Sequence, residues 1–359
     1  MAVGDEILLQ KRRDPRIIGQ WKVGRKIGQG AIGHVRIARH AKSGQYAAIK
    51  ILSKSCLQDS EEADSLRITN IEREIVIMRL LNHPNIGLIY DVWETSSNYY
   101  IFLEYIDGQE LFHYLSDKDK KKLDTEEARR FFRQIIIGLD YCHRHHIVHR
   151  DLKLENILVS RQGNVKIVDF GLAAWREANS DGLLRTKCGS NHYMAPEILR
   201  GRPYDGTATD VWACGIVLYT MLVGTVPWDD DDANKLVKMI LTEHLRIPLG
   251  VDRKARDLLT RMIERNPTRR ITVPQILVHD FLKPRPDSPP ASSDLQDEET
   301  MCMLSNTDDI DPALFRNLRT LWTGLPEETT RQNLLSPVPT LEKRVYKLLS
   351  QYRERRREE

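Results

Sequence analysis

The chain has 359 residues, of which 41% are hydrophobic and 29% charged, with a formal net charge of +3. That length supports two or three domains, and the apolar fraction excludes wholesale disorder. The near-balance of 54 basic against 51 acidic residues argues against a dedicated nucleic-acid binder. The cysteines, Cys56, Cys142, Cys188, Cys214 and Cys302, are odd in number and form no C-x-x-C pair. They exclude a disulfide framework or zinc ribbon and suit a reducing compartment, hence a cytoplasmic setting. Residues 1–13 hold a short Ile7-Leu8-Leu9 patch with charges on both sides, unlike a signal peptide. The longest apolar tract, 214–228, is broken by Tyr219, Thr220, Gly224 and Thr225, so it reads as a buried helix and no transmembrane segment is expected.

In chain order, an extension over 1–20 precedes strand-like runs at 21–27, 34–40 and 46–51, the first two flanking a glycine turn. Residues 71–81 carry Ile71, Ile75 and Met78 at helical spacing, and 98–105 return to strand. From Leu111 the pattern is mostly helical, at 125–143, 209–223, 233–242, 252–265 and 273–279. A small β-rich half followed by a larger helical half predicts an α+β fold with two lobes, and a cleft between lobes commonly holds a ligand. Residues 283–300, KPRPDSPPASSDLQDEET, have four prolines and three serines and read as a linker. The expected division is therefore 21–282, a linker over 283–308, a helical tail over 309–353 and a charged end over 354–359.

Gly28, Gly30, Gly33 and Val35 fit G-x-G-x-x-G-x-V. A dinucleotide fold would follow this loop with a helix, but here strand-like sequence follows, giving a hairpin whose backbone N–H groups can cover phosphates. Lys50 stands about 20 residues on, where a dinucleotide site expects an acid. A lone strand lysine is usually a solvated charge, but the next helix supplies a partner. At 100° per residue from Ile71, Ile75 and Met78 fall within ~40°, Glu74 lies ~60° to one side and Glu72 ~100° to the other. Glu74 thus accompanies the packed face and can orient Lys50, while Glu72 is solvated.

The strongest signal is His149-Arg150-Asp151-Leu152-Lys153-Leu154-Glu155-Asn156, followed by Asp169-Phe170-Gly171 and Ala195-Pro196-Glu197. Together these motifs resemble the protein-kinase signature, and that resemblance implies phosphoryl transfer, which demands positioning and charge neutralisation more than covalent work. On that resemblance, Asn156 and Asp169 would offer hard oxygens for Mg²⁺, and Lys50 would neutralise α/β-phosphate charge. Asp151 can orient or deprotonate a hydroxyl, and Lys153 can reach the transferring γ-phosphate. The crowded His143, His145, His146 and His149 straddle a helix end, which disfavours a zinc site.

With these motifs, residues 21–282 resemble the eukaryotic protein kinases. The resemblance implies a bilobal kinase fold using ATP and Mg²⁺. It places nucleotide binding at Ile27, Gly28, Gly30, Gly33, Val35, Ala48, Lys50, Leu103, Glu104, Ile106, Glu110 and Leu158, with 103–106 as gatekeeper and hinge. It makes Asp210 the anchor of the catalytic loop and pairs Arg270 with Glu197. Serine/threonine specificity follows from Lys153 and from Ser190, which matches a hydroxyl residue contacting Asp151 and Lys153. Glu110 matches a position that meets ribose or a substrate arginine, and with Glu155 it favours basic residues upstream of the target. Ile32 departs from the usual glycine-loop tip, and Asn191 replaces a frequent proline in the substrate-facing loop. Ala195-Pro196-Glu197 and the loop 172–194 form a peptide platform in the family, which argues against lipid or small-molecule substrates.

Leu184-Arg185-Thr186-Lys187-Cys188-Gly189-Ser190 resembles the activation loop of the AMP-activated/sucrose-nonfermenting branch of the calmodulin-kinase group. Thr186 matches its phosphosite, with an upstream kinase and Arg150 as the implied partners. In the tail, Asp311-Pro312 reads as a helix start, and Ile310, Leu314, Leu318, Leu321 and Trp322 fall on one face. A short second helix over 326–335 and a stripe of Leu341, Val345, Leu348, Leu349 and Tyr352 complete three helices, too few to stand alone. This segment is similar to the ubiquitin-associated-like domain of that branch, most of all in SAD-type and fungal Nim-type and septin-associated bud-neck kinases. The acidic loop 229–232 also fits them. The resemblance implies roles in cell polarity, septin organisation and mitotic entry, with Wee-type kinases among fungal substrates and the cell cortex or bud neck as locations; nothing in the sequence excludes the nucleus.

Overall fold

The computed structural model describes residues 15–29, 33–54, 61–118, 121–175, 183–184, 189–283, 304, 306–321, 325–336 and 340–358, with backbone alone at 61–70, 308 and 355–358. Gly30, Ile32, Cys56, Thr186, Cys188, Cys302, Trp322 and nearly all of the expected linker lie outside the described residues. The chain divides into two compact units, Met1–Asp64 with Ile89–Tyr105, and Ser65–Leu88 with Ile106–Glu359.

The first unit is an antiparallel sheet of β1 (Ile17–Ile18), β2 (Trp21–Gln29), β3 (Gly33–His40), β4 (Tyr46–Ser53), β5 (Ile89–Glu94) and β6 (Asn98–Glu104), in the order β1-β2-β3-β4-β6-β5. Alternation builds it. Ala47, Ile49 and Ile51 are buried with Trp21, Ala38, Tyr100 and Phe102, while Ala48 and Lys50 between them are half-buried on the other face. Ile49 pairs directly with Phe102 and Ile51 with Tyr100, and Trp21 lies 5.0 Å from Phe102 between ring centroids. Each such side chain contributes about 1.5–3 kcal/mol by leaving water. β5 was not anticipated: a bulge between Ile89 and Asp91 breaks its period-two pattern.

The second unit contains β7 (Gly108–Glu110), β8 (Ile147–Val148), β9 (Ile157–Ser160), β10 (Val165–Ile167) and β11 (Ala174–Trp175) as two small sheets, β10-β9-β7 and β11-β8. Its helices are α1 (Glu61–Leu80, counted here from Ser65), α2 (Leu111–Ser116), α3 (Thr125–Arg144), α4 (Pro196–Leu199), α5 (Gly206–Val223), α6 (Ala233–Thr242), α7 (Arg253–Met262), α8 (Val273–Leu277), α9 (Pro312–Leu321), α10 (Glu327–Leu335) and α11 (Leu341–Glu358). Aspartate caps start several of them: Asp124 accepts from Glu126 and Glu127 N–H, and Asp252 from Lys254 and Ala255. α5 is long and apolar enough to cross a bilayer, but 83% of it is buried inside the fold, so it is a core helix. It begins three residues before the sequence pattern suggests because Asp205 caps it through the Thr207 N–H at 3.0 Å. α1 likewise begins ten residues before Ile71, over a stretch with no apolar stripe.

In the tail, Asp311 Oδ1 accepts from Ala313 and Leu314 N–H and caps α9. Leu314, Phe315, Leu318 and Leu321 are buried with Leu334, Val345, Tyr346 and Leu349. The buried face of α11 is rotated from the expected stripe: Leu341 and Leu348 are half-buried, while Glu342 and Lys343 are buried. Glu342 accepts a 2.7 Å hydrogen bond from Asn333 Nδ2, and Lys343 donates to the Ser336 carbonyl. α11 also runs through the charged 354–358 rather than ending at Arg353. Near its end, Tyr352 offers its ring to the Arg79 guanidinium of α1 at 5.7 Å.

Candidate functional site

The sheet register gathers the predicted first-unit residues on one face. Val35 pairs with Lys50, Ala48 with Leu103, and Gly28 with Val35. Directly paired residues share a face, so Gly28, Val35, Ala48, Lys50 and Leu103 all lie opposite the Trp21–Ile49–Phe102 cluster. Glu104 pairs with Ala47 and so belongs to the other face, while Ile27 is about one-third exposed on β2. The glycines differ in purpose. A Cβ on Gly33 would come within 2.1 Å of the Ile51 carbonyl oxygen, so the β3–β4 approach itself requires glycine. Among the described residues, a Cβ on Gly28 would meet Val35 carbons, at 3.6 Å and beyond, so no described neighbour in the sheet demands that glycine.

In the second unit, a buried carboxylate organises the loop 149–156. Asp210, 1% exposed on α5, accepts from the N–H groups of His149 and Arg150 at 2.9 and 2.8 Å. His143 Nε2 lies 2.9 Å from the same carboxylate, a role its place in the histidine run does not reveal. His145 meets instead the Tyr141 carbonyl and His149 the Val168 carbonyl, so the run serves separate partners. The His149 ring lies against the buried Phe170. Arg150 takes a left-handed φ of 66°, and its Nε donates to the Leu172 carbonyl at 2.5 Å.

This scaffold concentrates donors on Asp151. Oδ1 receives Ser190 N–H and Oγ–H, each at 3.1 Å. Oδ2 receives Lys153 Nζ at 2.9 Å and Asn156 Nδ2 at 3.2 Å. Lys153 Nζ also donates to Ser190 Oγ at 3.0 Å. Asn156 Nδ2 makes a second bond to the Asp151 carbonyl at 2.8 Å, which leaves the amide oxygen as the atom suited to a hard cation. The Asn156 carbonyl accepts Val168 N–H at 2.9 Å, tying it to the segment that bears Asp169, whose φ is 61°. A Cβ on Gly171 would meet Asp169 Oδ1 and Glu74 Oε2, each at 3.4 Å, so both carboxylates face this glycine. Glu74 is buried and Glu72 exposed, as their helical angles require.

Glu110 pairs with Leu158, which pairs with Lys166. Glu155 is exposed on the short 3₁₀ turn 154–156, and Ile106 is half-buried. Tyr193 was missed by the sequence reading. Burial first, and then the Glu155 charge, push its phenol well above the usual range. Arg270 holds Glu197 through a buried pair of hydrogen bonds at 2.7 and 3.0 Å and also meets the Ala208 and Glu264 carbonyls.

A family model described as the protein kinase domain matches residues 21–282. The serine/threonine-protein kinase GIN4 of Saccharomyces cerevisiae is 40% identical over 94% of this chain and 31% of its own length. The probable serine/threonine-protein kinase HSL1 of the same yeast is 37% identical over 96% of this chain and 26% of its own. The CBL-interacting protein kinase 1 of Oryza sativa is 42% identical, but over 74% of this chain and 57% of its own. The chain spans about a third or less of the length of these two yeast relatives, and its likeness to them extends past residue 282 into the helical tail. The motifs, the two units and the match over residues 21–282 make this chain a member of the protein kinase family, with relatives named as serine/threonine kinases.

Proposed function

We propose that the chain transfers the γ-phosphate of ATP to serine or threonine in proteins, with Asp151 as the group that orients or deprotonates the hydroxyl. The observation that carries this reading is the Asp151 carboxylate with four donors from Ser190, Lys153 and Asn156. Two carboxylate oxygens offer about four lone-pair sites, so a substrate hydroxyl reaches Asp151 only by displacing a donor. Lys153 is the donor that an incoming phosphate would draw away, which couples phosphate arrival to the opening of the base. Asn156 and Asp169 are the oxygen ligands that would hold Mg²⁺, which when bound neutralises phosphate charge. Lys50, with Glu74, serves the α/β-phosphates, and Gly28, Gly30, Gly33, Val35, Ala48, Leu103, Glu104, Ile106 and Leu158 the rest of the nucleotide.

Phosphorylation of Thr186 by an upstream kinase activates the enzyme in this reading, by giving Arg150 a phosphate in place of the Leu172 carbonyl. Glu110 and Glu155 select basic residues upstream of the target. Residues 309–353 act as a ubiquitin-associated-like regulatory domain; the contact of Tyr352 with Arg79, five residues after Glu74, supports a route from tail to active site. By resemblance the setting is cytoplasmic, at the cell cortex or bud neck, with septins or Wee-type kinases as partners in polarity and mitotic entry.

The test is phosphorylation of a degenerate serine/threonine peptide library with Mg²⁺-ATP, using the intact chain, Asp151→Asn and a chain ending at Lys283, each with and without phosphate on Thr186. Incorporation that requires Asp151 and rises with Thr186 phosphate is expected. ATP binding with no incorporation in any form overturns the enzyme reading in favour of a scaffold.

A further inference from the structure

α2 follows directly on Glu110 and, one turn later, sets His113 Nε2 3.8 Å from Glu110 Oε2. That separation is too long for a hydrogen bond but suits an ion pair, which exists only while the imidazole is protonated. The two side chains are 61% and 41% exposed, so a peptide in solution can reach both. α2 packs against the turn 154–156, β7 and β9. The charged groups on those elements are Glu155 from the turn and Glu110 from β7, while β9 carries none. Within α2 the other titratable side chain is Tyr114, which is taken up by Glu127 and Lys118. Phe112 meets the His113 ring edge-on and adds no charge. One turn further on, Asp117 at the α2 C-terminal cap accepts from Gln109 Nε2 at 3.1 Å. His113 is therefore a switchable cation set beside Glu110.

We propose that His113 is a specificity-determining residue that makes recognition of a basic substrate residue depend on pH. Protonated, it occupies Glu110 and repels an incoming cation; neutral, it leaves Glu110 to the substrate. The inference rests on the reading above that Glu110 takes a basic residue of the peptide. The sign follows from the groups involved. Imidazole changes charge between about pH 5 and 8, while a substrate guanidinium stays charged throughout. Preference for arginine is therefore weak in acid and grows toward neutral pH. An exposed pair of this kind supports a change of about threefold.

The experiment uses the full chain and pairs of serine peptides that differ only by arginine or alanine, scanned along the residues preceding the serine. The readout is the arginine-to-alanine ratio of kcat/KM, in which the pH dependence of the chemical step cancels. In wild type the ratio should rise about threefold from acid to neutral pH. His113→Asn should hold it high, and His113→Lys low, at every pH. A flat wild-type ratio, or a rise that survives in His113→Asn, overturns the proposal. If Glu110→Gln lowers the ratio while both His113 variants leave its pH profile intact, the role of Glu110 stands and that of His113 falls. A ratio indifferent to Glu110→Gln removes both readings. A response confined to the KM for ATP assigns the pair to ribose and likewise overturns the proposal.

Discussion

The sheet face of the first unit and the loop 149–156 of the second position their residues by opposite means. On the sheet, backbone register alone puts Val35, Ala48, Lys50 and Leu103 on one side. In the loop, little regular structure is available, and a single buried carboxylate, Asp210, fixes the backbone at His149 and Arg150. A ladder tolerates side-chain changes on its open face as long as the buried face packs. A loop hung on one acid tolerates little change at that acid or its contacts, because an unpaired buried group costs its full desolvation. The proposed base, Asp151, sits on the second kind of support.

The largest expected effect falls on the loop. Asp151→Asn should lower turnover on the order of 10³-fold, ~4 kcal/mol, in a peptide phosphorylation assay; activity within about tenfold of wild type would remove Asp151 as the base. Next comes the buried pair that braces the helical unit. Arg270→Met strands Glu197 without its partner, and urea unfolding should show a loss of about 3–5 kcal/mol. A loss near zero would mean that water reaches Glu197.

Smaller effects separate the two glycines of the sheet. Gly33→Ala drives a Cβ into the Ile51 carbonyl and should destabilise by about 1–3 kcal/mol. Gly28→Ala should leave the unfolding midpoint nearly unchanged and raise the KM for ATP. Equal effects on stability would show that Gly28 also serves the sheet. The smallest effect lies in the tail. The hydrogen bond from Arg353, and then the Leu314 N–H, hold the Asp311 carboxyl below the usual range. Its contribution to the tail is therefore present above the ordinary aspartate pKa and lost as pH falls through the lowered folded value. Hydrogen-exchange protection of α9 should weaken in acid, below about pH 4, and Asp311→Asn, which still caps, should remove that dependence.

Much of the candidate site was readable because its residues lie in short local motifs. Asp151, Lys153 and Asn156 fall within six residues, and the 100° rule separated Glu74 from Glu72 on a helix whose period was clear. The rest failed where local pattern is weak or remote partners decide. β5 hid behind a bulge, and the first ten residues of α1 have no apolar stripe. His143 looked like one of a crowd, and only the arrival of α5 with Asp210 gives it a role. Burial of the fully buried Cys142 and Cys214, and then the Asp210 charge, push both thiols well above the usual range; the spacing that excluded a disulfide framework says nothing of that environment.

Local sequence sets the alternation of the sheet, the amphipathic helices, the Asp311 cap and the motif residues, because each depends on neighbours within about a turn or a strand pair. Tertiary structure decided which distant groups share a partner. It brought Asp210 under the loop 149–156, Arg270 onto Glu197 and Ser190 onto Asp151, pairings that the kinase resemblance implied but no local pattern records, and Tyr352 onto Arg79, which nothing in the sequence suggested. It also turned α11 so that Glu342 and Lys343 are buried with polar partners in place of two leucines. The physical reason is that buried polar groups are placed by whichever distant donor or acceptor satisfies them, and no local period records that choice.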